Sequence, residues 1–343
     1  MKIKTFKIYD TIALPKDLAE IFNPEEYCVL DIETTGLNRK YHKIILIGIL
    51  YKINNIIILK QFFAENPDEE ICILHEFCDI FNNFSYVITY NGASFDIPFL
   101  KKRFEYNNLQ WNFDNIKHID ILQCIRKEKK QLPVENFKLK TIEKFLGINR
   151  KDTISGKDSV LLYNKYVKHP SPGIEKTILL HNYEDVYYLN KLLSIFDHIS
   201  IDKYELMGKD IVINYNLKNI IFTFYPKDIS IKKGALHING QTSKFDNIFD
   251  VIHYDSNFQF KWYSNKGRFD FIMPLYEGHL ITGEKCNYIN LDNFDLSKFH
   301  FSISDYYNDK FFHNNFMILK CVNKFNIDLI GELLRIIFKK IFQ

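Results

Sequence analysis

The sequence predicts an α/β domain built around a mixed sheet, followed by a mostly β region. Two observations predict this fold class. Between residues 27 and 197, apolar runs of strand length alternate with segments whose apolar residues recur at helical spacing. After about residue 205, short segments of alternating apolar residues are separated by glycine-containing turns. Since no apolar run approaches the roughly 18 residues that span a bilayer, no membrane partner is expected.

The first elements of the α/β domain are three strands and a helix. Strands are predicted at residues 27–34, 43–52 and 54–63, with a turn at Ile53-Asn54-Asn55 between the last two. Residues 69–83 begin with acidic side chains and continue with apolar ones at helical spacing, which predicts a helix.

The remaining elements complete a mixed five-stranded sheet flanked by helices. Residues 85–91 and part of 115–122 are predicted strands, and a helix begins near Phe95 between them. A short helix ends at Gly147. A long helix is predicted over 174–197, where Leu180, Val186 and Leu189 indicate packing on the sheet.

The second half of the chain predicts hairpins and a closing helix. One hairpin is centred on Lys233-Gly234 and another on residues 265–267, and residues 326–343 have apolar residues at helical spacing. Phe260 and Trp262 alternate along a strand, a spacing more typical of core residues than of a base-stacking surface. We therefore divide the chain into an N-terminal extension (1–26), the α/β domain (27–204) and a β-rich accessory domain with a C-terminal helix (205–343).

Composition gives weaker indications. The first residues, MKIKTFKIYD, lack the apolar core of a signal peptide, so a cytoplasmic protein is expected. The six cysteines contain no C-x-x-C pair, which predicts free thiols and no zinc or iron–sulfur site. The net charge of +3 does not by itself indicate a nucleic-acid binder. Basic residues cluster locally at Lys101-Lys102-Arg103 and in residues 126–130, which fits either a phosphate-binding surface or a solvated helix face.

Two acidic residues end the first buried strand. Asp31 and Glu33 are two residues apart on a strand, so both side chains point to the same face. Carboxylates in an otherwise apolar strand are costly to bury unless a counter-charge compensates them. A divalent cation that prefers oxygen ligands, Mg²⁺ or Mn²⁺, would do so. A surface-facing pair at a strand end is the alternative.

Two further acidic residues have informative positions. Asp96 follows a strand-to-helix turn, where it could be a metal ligand or a helix cap. Asp185 lies on the long predicted helix, and His181 precedes it by four residues, so the two side chains share a helical face. Either a catalytic pair or a surface pair fits that spacing.

Three motifs occur in an order that resembles the DEDD superfamily of 3′→5′ exonucleases. They are DIETTG at residues 31–36, NGASFD at 91–96 and HNYED at 181–185. The segment LKTIEKFLGINR at 139–150 also resembles the bacterial YprB-like branch of that superfamily. The resemblance covers about residues 27–197 and implies a ribonuclease H-like fold.

The resemblance also implies a two-metal phosphodiesterase that uses two Mg²⁺ or Mn²⁺ ions. Asp31 would bridge both metals, Glu33 and Asp185 would bind one of them, and Asp96 would act largely through waters. Members of the superfamily carry either a tyrosine four residues before the final aspartate or a histidine five before it. This chain instead has His181 at the tyrosine spacing, where it could serve as general base or orient the attacking water.

Substrate contacts are expected from three residues near the first two motifs. Thr34 and Leu37 occupy positions that contact the terminal nucleotide in the family, and Asn91 either fixes that nucleotide or closes its turn. For Asp120 a structural role is expected. The predicted function is hydrolysis of single-stranded DNA or RNA from a 3′ end. A structure-selective ribonuclease H-like endonuclease and an inactive nucleic-acid-binding module are the alternatives.

Overall fold

The computed structural model of the protein contains two compact units, residues 1–201 and 202–343. The structure describes residues 1–10, 14–110, 116–129, 131–151, 154–199, 202–246, 248–280, 282–294, 312–313 and 316–343.

Unit 1 is built on a six-stranded mixed sheet with the strand order β1-β4-β3-β2-β5-β6. The strands are β1 (Lys2–Ile8), β2 (Tyr27–Thr34), β3 (Ile44–Ile53), β4 (Ile56–Phe63), β5 (Tyr86–Thr89) and β6 (Lys117–Asp120). Strands β2, β5 and β6 run parallel, while β1, β4, β3 and β2 pair antiparallel. All five strands predicted from the sequence are present.

The sixth strand comes from the segment that we predicted to be an N-terminal extension. Strand β1 pairs antiparallel with β4 along its whole length, so residues 2–8 belong to the sheet. Its pattern gave no strand signal because neither face is fully buried: Ile3 is 43% exposed and Phe6 is 38% exposed. The alternation of apolar and polar residues that marks a half-buried strand is therefore missing.

Helices cover both faces of the sheet of unit 1. They are α1 (Lys16–Ala19), α2 (Glu70–Phe81), α3 (Asp96–Tyr106), α4 (Ile121–Lys127), α5 (Leu139–Phe145), α6 (Gly156–Lys168) and α7 (Pro172–Lys191). Buried residues of α2 and α3, among them Phe77 and Phe99, pack with Leu30 and Ile32 of β2 on one face. On the other face, Tyr163 of α6 and residues of α7 pack with the sheet.

Helix α7 is the element that brings the third motif to the sheet. It is followed by a 3₁₀ helix over Leu192–Asp197, so the helix predicted over 174–197 is present with a tighter final segment. Val186 and Leu189 are buried as expected, whereas Leu180 is 38% exposed. The helix contacts β2, β3 and β4, which are consecutive strands of the sheet.

Unit 2 is mostly β, with two sheets and a long terminal helix. Its helices are α8 (Lys203–Met207) and α9 (Ile327–Ile341). Its strands are β7 (Lys209–Tyr215), β8 (Lys218–Phe224), β9 (Ile229–Lys232), β10 (Ala235–Thr242), β11 (Val251–Tyr254), β12 (Gln259–Tyr263), β13 (Arg268–Pro274), β14 (Tyr276–His279), β15 (Lys285–Asn290), β16 (Phe312–His313), β17 (Phe316–Cys321) and β18 (Lys324–Phe325). The predicted hairpins are β9–β10 and β12–β13. Phe260 and Trp262 are fully buried and pack around Phe338 and Phe342, so they are core residues.

Candidate active site

The acidic residues of β2 face helix α7. Leu30 and Ile32 enter the core beneath α2 and α3, so the alternation of the strand turns Asp31 and Glu33 to the opposite side. One Asp31 carboxylate oxygen, Oδ2, accepts a hydrogen bond of 2.9 Å from Asn182 Nδ2 on α7. Glu33 is 7% exposed. The surface-facing alternative for this pair is therefore wrong.

His181 and Asp185 reach the same place from α7. His181 Nε2 lies 3.4 Å from Glu33 Oε1 and 3.5 Å from Asp185 Oδ2. One ligand atom from each of these three residues lies within 4.8 Å of the others, a spacing at which a single cation could contact all three. The structure thus places His181 and Asp185 on one helical face. Together with Asp31 and Glu33 of β2 they form a group of side chains that we call the acidic cluster. Tyr183 points elsewhere and packs against Phe6.

The helix can approach the sheet because position 48 is a glycine. Gly48 on β3 is the partner of Asp31 in the antiparallel register. A Cβ atom there would lie 2.3 Å from Asn182 Oδ1 and 2.7 Å from Val186 Cγ2. Any side chain at this position would therefore push α7 away from the strand that carries Asp31.

Asp96 joins the cluster through the backbone of β2. It is the first residue of α3 and is 5% exposed, and its Oδ1 accepts a hydrogen bond of 3.1 Å from the Ile32 backbone N–H. Ile32 stands between Asp31 and Glu33 in the sequence. The N-cap residue of the helix is Phe95, so the helix-cap alternative for Asp96 does not describe this side chain.

The cluster is short of positive charge. Burial raises the pKa of Asp31 well above its ordinary range, and the neighbouring carboxylates of Asp185, Asp96 and Glu33 raise it further. Burial raises the pKa of Glu33 to about 7, although His181 lowers it. Burial also raises the pKa of Asp96 to about 7 against the effect of its hydrogen bond from Ile32. Divalent cations would offset this repulsion, and carboxylate oxygens are the donors that Mg²⁺ and Mn²⁺ prefer.

Arg150 is a member of the site that the sequence analysis missed. Its Nη1 pairs with Asp185 Oδ1, and its Nε donates a hydrogen bond of 2.9 Å to Glu143 Oε1 on α5. The Arg150 side chain is 6% exposed and that of Glu143 is 2% exposed. Asp185 therefore presents one oxygen to a fixed guanidinium group and the other to His181. The pairing joins residues 35 positions apart, so no local pattern predicts it.

The expected substrate-contacting residues occupy different environments. Thr34 is buried, and its hydroxyl donates to the Gly36 carbonyl oxygen over 2.8 Å. Leu37 is 84% exposed just beyond the first motif. Asn91 has a φ of 66° and its backbone N–H donates to Asp120 Oδ1. The turn conformation thus explains an asparagine at position 91, while contact of these three residues with a nucleotide stays a prediction.

Asp120 has the structural role that we expected. Besides Asn91, it accepts hydrogen bonds from the backbone N–H groups of Ala93 and Leu122. It therefore holds the turn of the second motif against the start of α4. Because Asp120 caps a helix and fixes this turn, it indirectly supports the position of Asp96.

The first basic segment, residues 101–103, is largely paired with acidic residues. Arg103 is 2% exposed and forms an ion pair with Glu70, with 2.6 Å between Nη2 and Oε2. Lys102 pairs with Glu105 on the same helix. The triplet at residues 101–103 therefore does not present three available cations. In the second basic segment, Lys130 lies outside the described residues.

Comparisons with known proteins agree with the fold of unit 1. Residues 28–196 match the RNase_H_2 model of the RNase_H superfamily. YprB of Bacillus subtilis (strain 168), described as an uncharacterized protein, is 29% identical over 185 residues, which make up 53% of this chain and 44% of that protein. The aligned region thus spans less than half the length of this relative.

Two solved structures are similar to part of the chain. One is the family B DNA polymerase from the hyperthermophilic archaeon Pyrobaculum calidifontis, with 15% identity over 51% of this chain and 24% of that chain and a TM-score of 0.39. The other is an ExoI/SSB-Ct complex, with 16% identity over 62% of this chain and 55% of that chain and a TM-score of 0.31.

The fold class follows from the superfamily model and the sheet topology together. Residues 28–196 form a ribonuclease H-like domain, and the predicted fold class is confirmed. The resemblance drawn from the three motifs is confirmed at the level of the ribonuclease H-like fold. Among the residues that the structure describes, no helix is both long and apolar enough to cross a membrane.

Proposed function

We propose that this chain is a metal-dependent 3′→5′ exonuclease that hydrolyses phosphodiester bonds of single-stranded DNA or RNA with two Mg²⁺ or Mn²⁺ ions. One observation carries the proposal: acidic residues from β2, α3 and α7 converge on one buried cluster. Burying several like charges together is unfavourable unless cations join them. Asp31, Glu33, Asp96 and Asp185 are all part of this cluster, which argues against an inactive binding module.

The residues present fit a pair of divalent cations. Asp31 would contact both ions, Glu33 and Asp185 would hold one, and Asp96 would support the site through water. When bound, such ions lower the pKa of an attacking water and stabilise negative charge on the phosphate and the leaving 3′ oxygen.

Protein side chains would supply the other catalytic and positioning roles. His181 Nε2 is next to Glu33 and Asp185, so it can accept a proton from water at that atom. Arg150 holds Asp185 from the side opposite His181 and keeps its carboxylate oriented. Leu37 is exposed beside the cluster-bearing strand and would contact the terminal nucleotide. Unit 2 would help to bind or orient the nucleic acid.

A strand-cleavage assay tests this function. Single-stranded DNA and RNA oligonucleotides with a 5′ label are incubated with the protein and Mg²⁺, Mn²⁺ or EDTA. We expect a ladder that shortens from the 3′ end, requires a metal and is lost in Asp31→Asn. Asp17→Asn is the matched control, because Asp17 is exposed on the short helix α1.

A circular single strand separates the two modes of cleavage. An exonuclease leaves it intact, whereas opening of the circle would establish the endonuclease alternative. If no strand is cut with either metal while the protein still retards nucleic acid in a gel, the binding-module alternative replaces the proposal.

A further inference from the structure

A chain of buried amides runs across the sheet to the first acidic residue of the cluster. Gln61 on β4 and Asn182 on α7 are both 0% exposed. Gln61 Nε2 donates to Asn182 Oδ1 over 2.9 Å and to the Leu179 carbonyl oxygen over 2.8 Å. Asn182 Nδ2 in turn donates to Asp31 Oδ2 over 2.9 Å. The three side chains therefore form a directed series of hydrogen bonds that ends on a carboxylate.

The direction of this series is fixed by its first member. An asparagine amide can rotate by half a turn and exchange its oxygen and nitrogen. Here the Gln61 N–H group occupies the Asn182 oxygen, so the Asn182 nitrogen must point to Asp31. The reversed amide would place Oδ1 against a carboxylate oxygen and Nδ2 against another donor, and both contacts are repulsive.

The glutamine is held by its donating atom alone. Within the described part of the chain, no group hydrogen-bonds to the buried Gln61 Oε1, although Gln61 Nε2 has two acceptors. A buried polar atom without a partner is destabilising, and an apolar residue of similar shape would avoid that cost. Both acceptors of Gln61 Nε2 lie on α7, so these two hydrogen bonds offset part of that cost and connect β4 with the helix.

The sheet register makes room for this series. Gly48 stands between the two strands as the partner of both Asp31 on β2 and Gln61 on β4. Since Gly48 has no side chain, Asn182 can lie directly over it and connect Gln61 on β4 with Asp31 on β2.

We propose that Gln61 is a positioning residue for metal binding, acting on Asp31 through Asn182. The inference rests on the proposed function, because it assigns the metals to the acidic cluster. Asn182 engages Oδ2 of Asp31, which leaves Oδ1 to face a cation. Without Gln61, the Asn182 oxygen loses its partner and Asp31 alone orients the amide, so the contact with Asp31 Oδ2 is less firmly fixed. Outer residues that orient metal ligands contribute about 10–100-fold to metal affinity.

Calorimetric titration of the full chain with Mn²⁺ tests the inference without relying on catalysis. The variant is Gln61→Met, which keeps the length of the side chain and removes its donor. The control is Tyr27→Phe. Tyr27 lies on β2, the strand of Asp31, at the end of the strand away from Asp31. Its hydroxyl donates a buried hydrogen bond of 2.8 Å to Asn190 Oδ1 on α7. Gln61→Met loses two hydrogen bonds to α7, one of which leads to the cluster, and Tyr27→Phe loses one that does not.

We expect Gln61→Met to weaken Mn²⁺ binding about 10–100-fold and Tyr27→Phe to leave it within about twofold of the wild type. Equal affinities in the two variants, with normal binding by the wild type, would overturn the inference and leave the proposed function standing. Absence of Mn²⁺ binding in the wild type would overturn both. If Gln61→Met does not fold, Gln61→Asn, which withdraws the amide by one methylene, is expected to give the same weakening.

Discussion

Replacement of Gly48 by alanine should uncouple helix α7 from the acidic strand. The new Cβ would lie 2.3 Å from Asn182 Oδ1, whereas ordinary contacts begin near 3.4 Å, so the helix must move by about 1 Å. Displacements of about 1 Å at a catalytic constellation cost on the order of 100-fold in rate. Overpacking of this kind also costs about 1–3 kcal/mol of folding free energy. We therefore expect a stable but nearly inactive protein.

The assay compares Mn²⁺-dependent cleavage of a single strand with unfolding in urea for two glycine variants. Gly156→Ala is the control, because a Cβ at Gly156 would meet no atom of the described residues within 4 Å and Gly156 starts helix α6. Alanine is the better helix former there, so stability should stay equal or rise. Wild-type cleavage by Gly48→Ala would refute the reasoning. A large loss of stability without a loss of cleavage would show that helix placement does not control the site.

Three further predictions concern the charges of the cluster. In metal-free protein, the raised pKa of Glu33 means that the folded state keeps a proton that the unfolded state loses. The free energy of unfolding should therefore fall by at most about 3 kcal/mol between pH 4.5 and about 7. Glu33→Gln should reduce this fall in urea titrations at each pH, and an unchanged dependence of the unfolding free energy on pH would contradict the assignment. Arg150→Gln leaves Asp185 without its buried ion-pair partner and should lower the free energy of unfolding of the metal-free protein by about 3–5 kcal/mol in urea titrations. An unchanged free energy of unfolding would mean that the ion pair does not stabilise the fold. His181→Ala should lower the cleavage rate by about 10²–10⁴-fold and flatten the pH profile of that rate near neutrality. His75 is exposed, so His75→Ala should change neither the rate nor the profile. Equal cleavage rates in the two variants would exclude His181 as a base.

The sequence predicted those parts of the molecule that local pattern controls. The buried run of β2 and the spacing of Asp31 and Glu33 determine which face carries the acidic side chains, since alternation along a strand has a fixed period. The shared face of His181 and Asp185 follows likewise from helix geometry. These relations depend on residues a few positions apart.

Other features depend on contacts between distant segments. Asp96 could not be distinguished from a helix cap, because its hydrogen bond to Ile32 exists only once α3 docks against β2. Arg150 joins α5 to α7, and nothing in its immediate neighbourhood indicates a buried arginine. Strand β1 was missed because its side chains are largely exposed on both faces.

Helix α6 is different, since a local signal was available. Ser155 and Asp158 form a capping box at its start, in which each side chain accepts a hydrogen bond from the backbone N–H of the other. Tyr163 and Tyr166 are buried at helical spacing beyond it. A serine followed three residues later by an acidic residue is a helix-start pattern, and with the helical spacing of the two tyrosines it would have predicted the helix.

The sequence separation within the cluster has a consequence during synthesis of the chain. Asp31 and Asn182 are 151 residues apart, and the ribosome makes β2 long before it makes α7. Until that helix emerges, the acidic face of β2 lacks both its covering residues and its fellow ligands. A nascent chain should thus be unable to assemble the proposed metal site before α7 has left the ribosome. The proposed nuclease activity would therefore begin only after unit 1 has been completed and has folded.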